Sequence, residues 1–148
     1  MKSKASATLP KKLVNESLEG IELDDVSLAK AKIHNVTFEG AELDDVSWAK
    51  ANVHNATFEG ARLDDVEFAK TKISNSSFKG TDFDDVSFVK AKFKNGTFEG
   101  AKFDDIEFSG SKIKNSSLAG VTIEGCSIEG LTIDGVRIDE LLKEKRKA

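Results

Sequence analysis

The sequence predicts an all-β solenoid made of four-sided coils. Every fifth residue from Leu13 to Ile138 is Leu, Ile, Val, Phe or Trp, over 26 consecutive pentads. The pentads group in fours, because blocks such as 38–50 and 58–70 nearly repeat after 20 residues. A short fixed period is typical of a solenoid, and helical solenoids need about 33 to 47 residues per repeat. A period of five also fits neither a 3.6-residue helix nor a two-residue strand, so the chain must turn a corner at every pentad.

Each side of a coil is predicted to point two residues inward and three outward. The residue two places before each central apolar residue is also apolar or small, as at Val26, Val46, Ala31 and Ala51. Four sides close one coil, and coils stack at the strand spacing of about 4.8 Å. The 26 pentads therefore give about six and a half coils and a rod roughly 30 Å long.

The corner residues form four columns. Glycine occupies one column from Gly20 to Gly120 and asparagine another from Asn15 to Asn115. Type II turns need a positive φ at this position, which glycine and asparagine tolerate. A third column is aspartate, which tolerates it less well, and the fourth holds Lys30, Lys50, Lys70 and Lys90. Lysine should avoid a positive φ, so we expect a different turn at the lysine corner.

Runs such as Val26-Ser27-Leu28-Ala29-Lys30 and Ala41-Glu42-Leu43-Asp44-Asp45 resemble the repeats of the pentapeptide-repeat family. The resemblance covers roughly 85% of the chain. It implies a right-handed quadrilateral β-helix and a cytoplasmic protein. It says little about biochemical function, because the residues that repeat are those that build the rod.

The chain divides into three predicted segments. Residues 1–12 are a flexible leader or partial N-terminal cap, 13–138 form the β-helix, and 139–148 form a C-terminal capping helix and tail. Acidic residues begin this last segment and basic residues end it, which suits the helix dipole. We expect Leu141 and Leu142 to cover the last coil, and the protein to be a monomer or weak dimer. The chain has no apolar run long enough for a membrane span, so we expect no membrane contact.

No residue constellation indicates catalysis. The sequence contains no arrangement typical of a catalytic triad, a phosphate loop or a zinc site, so it predicts no enzyme, no cofactor and no metal. His34 and His54 should lie one coil apart, but Ser74, Lys94 and Lys114 continue their column and supply no further ligand.

The candidate binding surface is an acidic ridge formed by paired aspartates. It allows three interpretations: a solvated turn column balanced by the neighbouring lysines, a recognition strip for a basic protein surface, or a calcium site. Stacked carboxylates without an enclosing loop lack the six to eight oxygens that calcium prefers. The residues are Asp24, Asp25, Asp44, Asp45, Asp64, Asp65, Asp84, Asp85, Asp104 and Asp105.

The leading functional hypothesis is a non-catalytic structural or protein-interaction rod. The family resemblance supplies an alternative, because some pentapeptide-repeat proteins imitate DNA and modulate DNA gyrase, giving quinolone resistance. This chain departs from them through a net charge of only −4, a lysine ridge beside the acidic one, and an unbroken pentad register. Direct nucleic-acid binding is disfavoured, because carboxylates flank the basic ridge and no exposed aromatic residue accompanies it.

Overall fold

The computed structural model describes residues 4–5 and 12–147, which form a stack of four-sided β coils followed by one helix. The predicted all-β solenoid with a C-terminal helix is therefore confirmed. The elements are β1 Lys4–Ala5, β2 Lys12–Val14, β3 Glu22–Ser27, β4 Lys32–Thr37, β5 Glu42–Ser47, β6 Asn52–Thr57, β7 Arg62–Glu67, β8 Lys72–Ser74, β9 Asp82–Asp84, β10 Lys92–Lys94, β11 Lys102–Asp104, β12 Lys112–Lys114, β13 Thr122–Glu124, β14 Thr132–Ile133, β15 Val136–Arg137 and α1 Ile138–Lys147.

Two sheets run along the stack. One has the order β1-β3-β5-β7-β9-β11-β13, and the other has the order β2-β4-β6-β8-β10-β12-β14-β15. From β2 onward, neighbouring strands of successive coils pair in parallel with a register shift of one 20-residue repeat, so that Leu23 pairs with Leu43 and Leu43 with Leu63. Each position of the repeat therefore becomes a column along the rod.

Each coil has four sides, which we call faces. Each face is defined below by its residues in one coil and includes the equivalent residues 20 positions before and after. The aspartate face comprises residues 21–25, the serine face 26–30, the lysine face 31–35 and the glutamate face 36–40. Each face ends at a residue with positive φ, in this coil Asp25, Lys30, Asn35 and Gly40. Because the coil has four sides, the aspartate face lies opposite the lysine face.

The prediction of a different turn at the lysine corner is wrong. Lys50 has a φ of 62°, and the Ala51 N–H donates to the Trp48 carbonyl at 2.9 Å. Ala41 donates to Phe38 in the same way at the glycine corner, as in a type II turn. The coil needs a left-handed residue at every corner, and this requirement overrides lysine's preference at a cost of roughly 1 to 2 kcal/mol. The aspartate and asparagine corners differ instead, because β3 continues through Asp25 and β4 continues through Asn35.

The central apolar residues stack as two ladders in the core. Phe38, Phe58, Phe78 and Phe98 stack with ring centroids 4.7 to 5.1 Å apart. The opposite ladder stacks Trp48 and then Phe68, Phe88 and Phe108, with spacings of 5.2 to 5.5 Å. Both ladders are fully buried in the middle coils but only partly buried at Leu118 and Ile128, near the C-terminal end.

Polar side chains that enter the core have partners, with one exception. The Thr71 and Thr81 hydroxyls donate to the carbonyls of Trp48 and Phe58 at 2.8 and 2.7 Å. Trp48 Nε1 is the buried side-chain polar atom without a hydrogen-bond partner among the described residues. The core thus carries one unsatisfied donor in an otherwise paired interior.

At the N-terminal end, part of the predicted leader joins the fold. β1 pairs with β3 in parallel, with Lys4 beside Glu22 and Ala5 beside Leu23. Lys12 belongs to β2. The rest of the predicted leader, residues 1–3 and 6–11, lies outside the described residues.

At the C-terminal end, the coils stop one pentad earlier than predicted. Asp134 and Gly135, with φ of 47° and 82°, form a two-residue hairpin loop that turns β15 back against β14. Asp-Gly is a favoured pair for such a loop. Ile138 therefore begins α1 instead of completing a twenty-sixth pentad.

A polar staple, rather than the two leucines, fixes α1 to the last coil. Asp139 is 8% exposed, accepts the Gly130 N–H at 3.1 Å, and forms two hydrogen bonds with Arg137 at 2.7 and 2.9 Å. These hydrogen bonds, chiefly those from Arg137, hold the pKa of Asp139 well below its usual range. Leu141 and Leu142 remain 40% and 38% exposed, so the prediction that they cover the last coil is wrong.

Candidate interaction surface

The structure brings the ten predicted aspartates together as two columns along one edge of the rod. Asp24 pairs in register with Asp44, and the series continues through Asp64 and Asp84 to Asp104. The second member of each pair, such as Asp45, is the corner residue that follows. Because the backbone fixes the register, successive carboxylates lie about one strand spacing apart, roughly 4.8 Å.

The columns are solvated, but they repel one another. Like charges at this distance repel by roughly 1 kcal/mol in water and by more where water is partly excluded. Partial desolvation of the Asp65 carboxylate, followed by the charges of Asp45 and Asp85, raises its pKa. The ridge therefore works against stability at neutral pH.

From Asp25 to Asp105, the ridge aspartates accept no backbone N–H group within the part of the chain that the structure describes. Among the described residues, the aspartates whose carboxylates accept backbone N–H groups are Asp134 and Asp139, neither of which belongs to the ridge. Hydrogen bonding to turn amides therefore does not account for the ridge. Glu22, Asp24 and Glu42, near the N-terminal end, do make other contacts.

Beside the ridge, the serine face forms a shallow groove that sequence reasoning missed. Its volume is about 910 Å³. The corner aspartates form one wall, and small outward side chains such as Ser27, Ser47 and Ser87 form the floor. Glu67 and Glu107 occupy the same column as these serines. The small residues at this position were visible in the sequence, but their effect depends on the flanking corners.

The opposite side of the rod is basic. The exposed lysines of the lysine face stand on strands of the second sheet, and His34 and His54 lie in the outward column that Lys94 and Lys114 continue. The two imidazoles stack in parallel at 5.1 Å, and His54 Nδ1 lies 2.9 Å from the Ser74 hydroxyl. These lysines are Lys32, Lys72, Lys92, Lys94, Lys112 and Lys114.

The described residues hold no arrangement suited to metal binding. Within residues 4–5 and 12–147, no three His, Cys, Asp or Glu side chains are placed to hold a metal ion together. In the same part of the chain, no helix combines the length and apolarity needed to cross a membrane.

Comparison with curated protein sequences gives no significant match. Among solved structures, the chain is similar to HetL, a pentapeptide repeat protein involved in heterocyst differentiation regulation in the cyanobacterium Nostoc sp. strain PCC 7120. The identity is 11%, the match covers 89% of this chain and 92% of HetL, and the TM-score is 0.40. Rfr23 from the cyanobacterium Cyanothece 51142 shares 14% identity over 84% of this chain and 88% of its own, with a TM-score of 0.42.

QnrB1, a plasmid-mediated fluoroquinolone resistance protein, is 14% identical over 99% of this chain and 100% of its own, with a TM-score of 0.28. At these values the similarities carry no argument about function. The sequence itself matches two family models, one for a pentapeptide repeat region over residues 51–137 and one for eight copies of pentapeptide repeats over residues 21–65. The first covers more than half of the chain, and the chain belongs to the pentapeptide-repeat family.

Proposed function

We propose that this protein is a non-catalytic, cytoplasmic interaction rod whose aspartate face receives a basic protein surface. The observation that carries the proposal is the unbroken aspartate column from Asp44 to Asp104, held in register by the backbone ladder. Among the described residues these carboxylates accept no turn N–H group, and they repel one another. A structural role therefore does not explain them, whereas a partner with matching positive charge would relieve the repulsion.

The groove beside the ridge supports the proposal. Its floor is small and polar at Ser27, Ser47 and Ser87 and carries further carboxylates at Glu67 and Glu107, so a basic side chain could reach acidic groups from the serine face. Asp45, Asp65 and Asp85 line this groove as well as the ridge. A partner could thus contact both sides of the aspartate corner.

The test replaces Asp44, Asp45, Asp64 and Asp65 with Asn. Binding of a synthetic Lys/Arg-rich peptide, and capture of partners from a bacterial lysate, should be lost at low salt while the circular dichroism spectrum is unchanged. The matched control removes four carboxylates from the glutamate face, at Glu19, Glu39, Glu59 and Glu99, and should bind like the parent. Equal binding by both variants would reject the aspartate face as the docking surface.

The Asn variant also has an expected pH signature. A pKa raised on folding means that Asp65 favours the folded state only below its unfolded pKa, and this advantage is lost as pH rises. The variant should therefore melt slightly higher than the parent at neutral pH, and the difference should vanish below about pH 4. A sharp fall in melting temperature at neutral pH would show instead that the carboxylates are structural.

The gyrase hypothesis is a separate outcome. We favour the general interaction rod because the lysine face is positively charged. A protein that imitates DNA needs a negatively charged surface instead. A supercoiling assay with and without a quinolone decides between them. Protection of gyrase by the parent but not by the Asn variant would establish the DNA mimic.

A further inference from the structure

We propose that copies of this chain associate side by side, with the aspartate face of one rod against the lysine face of the next. The inference rests on the proposed function, in which the aspartate face is a docking surface, and it names a second copy as the partner. Its basis is the opposition of two complementary charged faces on one molecule.

The charges on the two faces are complementary. Between Asp44 and Asp105 the aspartate face carries nine aspartates, with Arg62 and Lys102 as its basic residues. Glu22, Asp24 and Glu42, which precede this range, already make other contacts. The lysine face carries its six lysines without any Asp or Glu from residue 31 to 35 or in the equivalent segments through 111–115. All six lysines are exposed.

The two faces also have the same spacing. Both sets of charges repeat once per coil, because β7, β9 and β11 carry the aspartates and β8, β10 and β12 carry the lysines. The coil spacing is about 4.8 Å on both faces. Two parallel rods therefore bring lysines opposite aspartates over several coils, and a shift by one coil preserves most of the pairs.

The symmetry of the contact follows from the charges. A two-fold lateral dimer would place the same patch against itself, and so would juxtapose aspartates with aspartates or lysines with lysines. The favourable contact joins different faces. Those faces lie on opposite sides of the rod, so each added copy binds through one face and leaves its other face free for a further copy. The assembly therefore stays open.

The test is sedimentation velocity of the full chain at low and high salt. The Debye length is about 30 Å at about 0.01 M salt and about 3 Å at about 1 M. The parent should sediment as a concentration-dependent series heavier than the 16.1 kDa monomer at low salt, and as monomer at high salt. A parent that stays monomeric at low salt overturns the inference.

Two charge-reversal variants locate the contact. One is Lys72→Glu, Lys92→Glu, Lys94→Glu and Lys112→Glu, and the other is Asp44→Lys, Asp64→Lys, Asp84→Lys and Asp104→Lys. The first variant has two acidic faces. In the second, five aspartates and six basic residues remain on the aspartate face between residues 44 and 105, so this face no longer offers an acidic surface to the lysine face. Each variant alone should therefore self-associate at least about tenfold more weakly than the parent. An equimolar mixture should associate again, because the acidic face of the first complements the basic face of the second. A mixture that remains monomeric overturns the inference, and recovery in the mixture excludes misfolding of either variant.

A control variant has the same net charge as the aspartate-to-lysine variant. Replacing Glu19, Glu39, Glu59 and Glu99 with Lys changes the net charge from −4 to +4, as the aspartate variant does, but does so on the glutamate face. Lys79 already occupies this column, so lysine fits there. Association like that of the parent supports the proposed faces, and its loss would show that net charge alone governs association.

The failure of this inference is distinguishable from failure of the proposed function. A parent that binds the Lys/Arg-rich peptide through its aspartate face but never self-associates refutes the second-copy partner alone. A parent that does neither refutes both. Capture of a DNA duplex by the lysine face without self-association overturns the inference in favour of a polyanionic partner.

Discussion

Replacing Phe78 with Ala should destabilise the rod more than the same truncation near its end. Phe78 is fully buried, and its ring stacks between Phe58 at 4.7 Å and Phe98 at 5.1 Å. Phe83 and Phe93 contact it from adjacent faces at 5.6 and 6.2 Å. The substitution therefore removes a ring that four aromatic neighbours surround.

The magnitude follows from burial and from the rigidity of the ladder. A buried Phe→Ala change costs about 3 to 5 kcal/mol, depending on how far the site can collapse. Collapse is limited here, because backbone hydrogen bonds between successive coils fix the coil spacing. The Phe58 N–H donates to the Ser77 carbonyl and the Phe78 N–H donates to the Thr97 carbonyl, each at 2.7 Å. We therefore expect about 4 to 5 kcal/mol, which includes the two lost stacking contacts.

Denaturant unfolding followed by circular dichroism measures the loss. Phe78→Leu is the matched control, since leucine occupies the same column at Leu18 and Leu118, and it should cost only about 1 to 2 kcal/mol. Leu118→Ala should cost less than Phe78→Ala, because Leu118 is only partly buried. A loss below about 1 kcal/mol for Phe78→Ala, or an equal loss for Leu118→Ala, would refute the packing argument.

Three further predictions concern the corner, the core and the C-terminal staple. Lys50→Gly should raise stability by about 0.5 to 1 kcal/mol in denaturant melts, because glycine accepts the positive φ and already occupies this column at Gly110; a loss would contradict the strain. Trp48→Phe should lose less than about 1 kcal/mol, because removal of the unpaired N–H offsets the lost ring area; a loss comparable with that of Phe78→Ala would contradict this. Asp139→Asn should lower the melting temperature at neutral pH. Because the folded pKa of Asp139 is depressed, its stabilisation is present above about pH 4 and is lost as pH falls, so the variant and the parent should converge in acid; a constant difference down to low pH would contradict the linkage.

The fold could be predicted because every pentad repeats the same pattern of inward apolar and outward polar residues. One inward apolar residue such as Phe58, and a small one such as Ala61, recur at fixed spacing, and only a corner at each pentad buries both. The core columns and their stacking follow directly from the 20-residue register. The Trp48 donor remains unpaired because its apolar column offers no acceptor.

The predictions that were wrong concern the lysine corner and the C-terminal end. At both places the backbone geometry of the coil or the hairpin decided the conformation, and the pentad pattern does not encode that geometry. Residue preference argued against a positive φ at Lys50, but closure of the coil requires it. The hairpin at Asp134 and Gly135 carried a recognisable sequence signal, but the unbroken pentad count concealed it. The position of Leu141 depends on that hairpin and on the Asp139 staple, so periodicity could not predict it.

The candidate surface was predictable in its residues but not in its surroundings. The alignment of Asp44 with Asp64 follows from the repeat alone. The groove does not, because it depends on the small side chains of the neighbouring serine face. The opposition of the aspartate and lysine faces follows from the four-sided coil once the corners are known.

In a rod with this register, each outward position becomes a column. A column of mixed charge limits repulsion between coils and so favours stability, whereas a column of one charge does not. The column that begins at Glu22 mixes both signs and alternates from Glu42 through Arg62 and Asp82 to Lys102, an arrangement that reduces repulsion between coils. The column beginning at Asp24, two positions further along the same strands, stays acidic through five coils. Both columns stand on the same strands and point outward, so stability alone would favour alternation in both. The unbroken column is therefore the feature that supports our proposal of a partner with opposite charge.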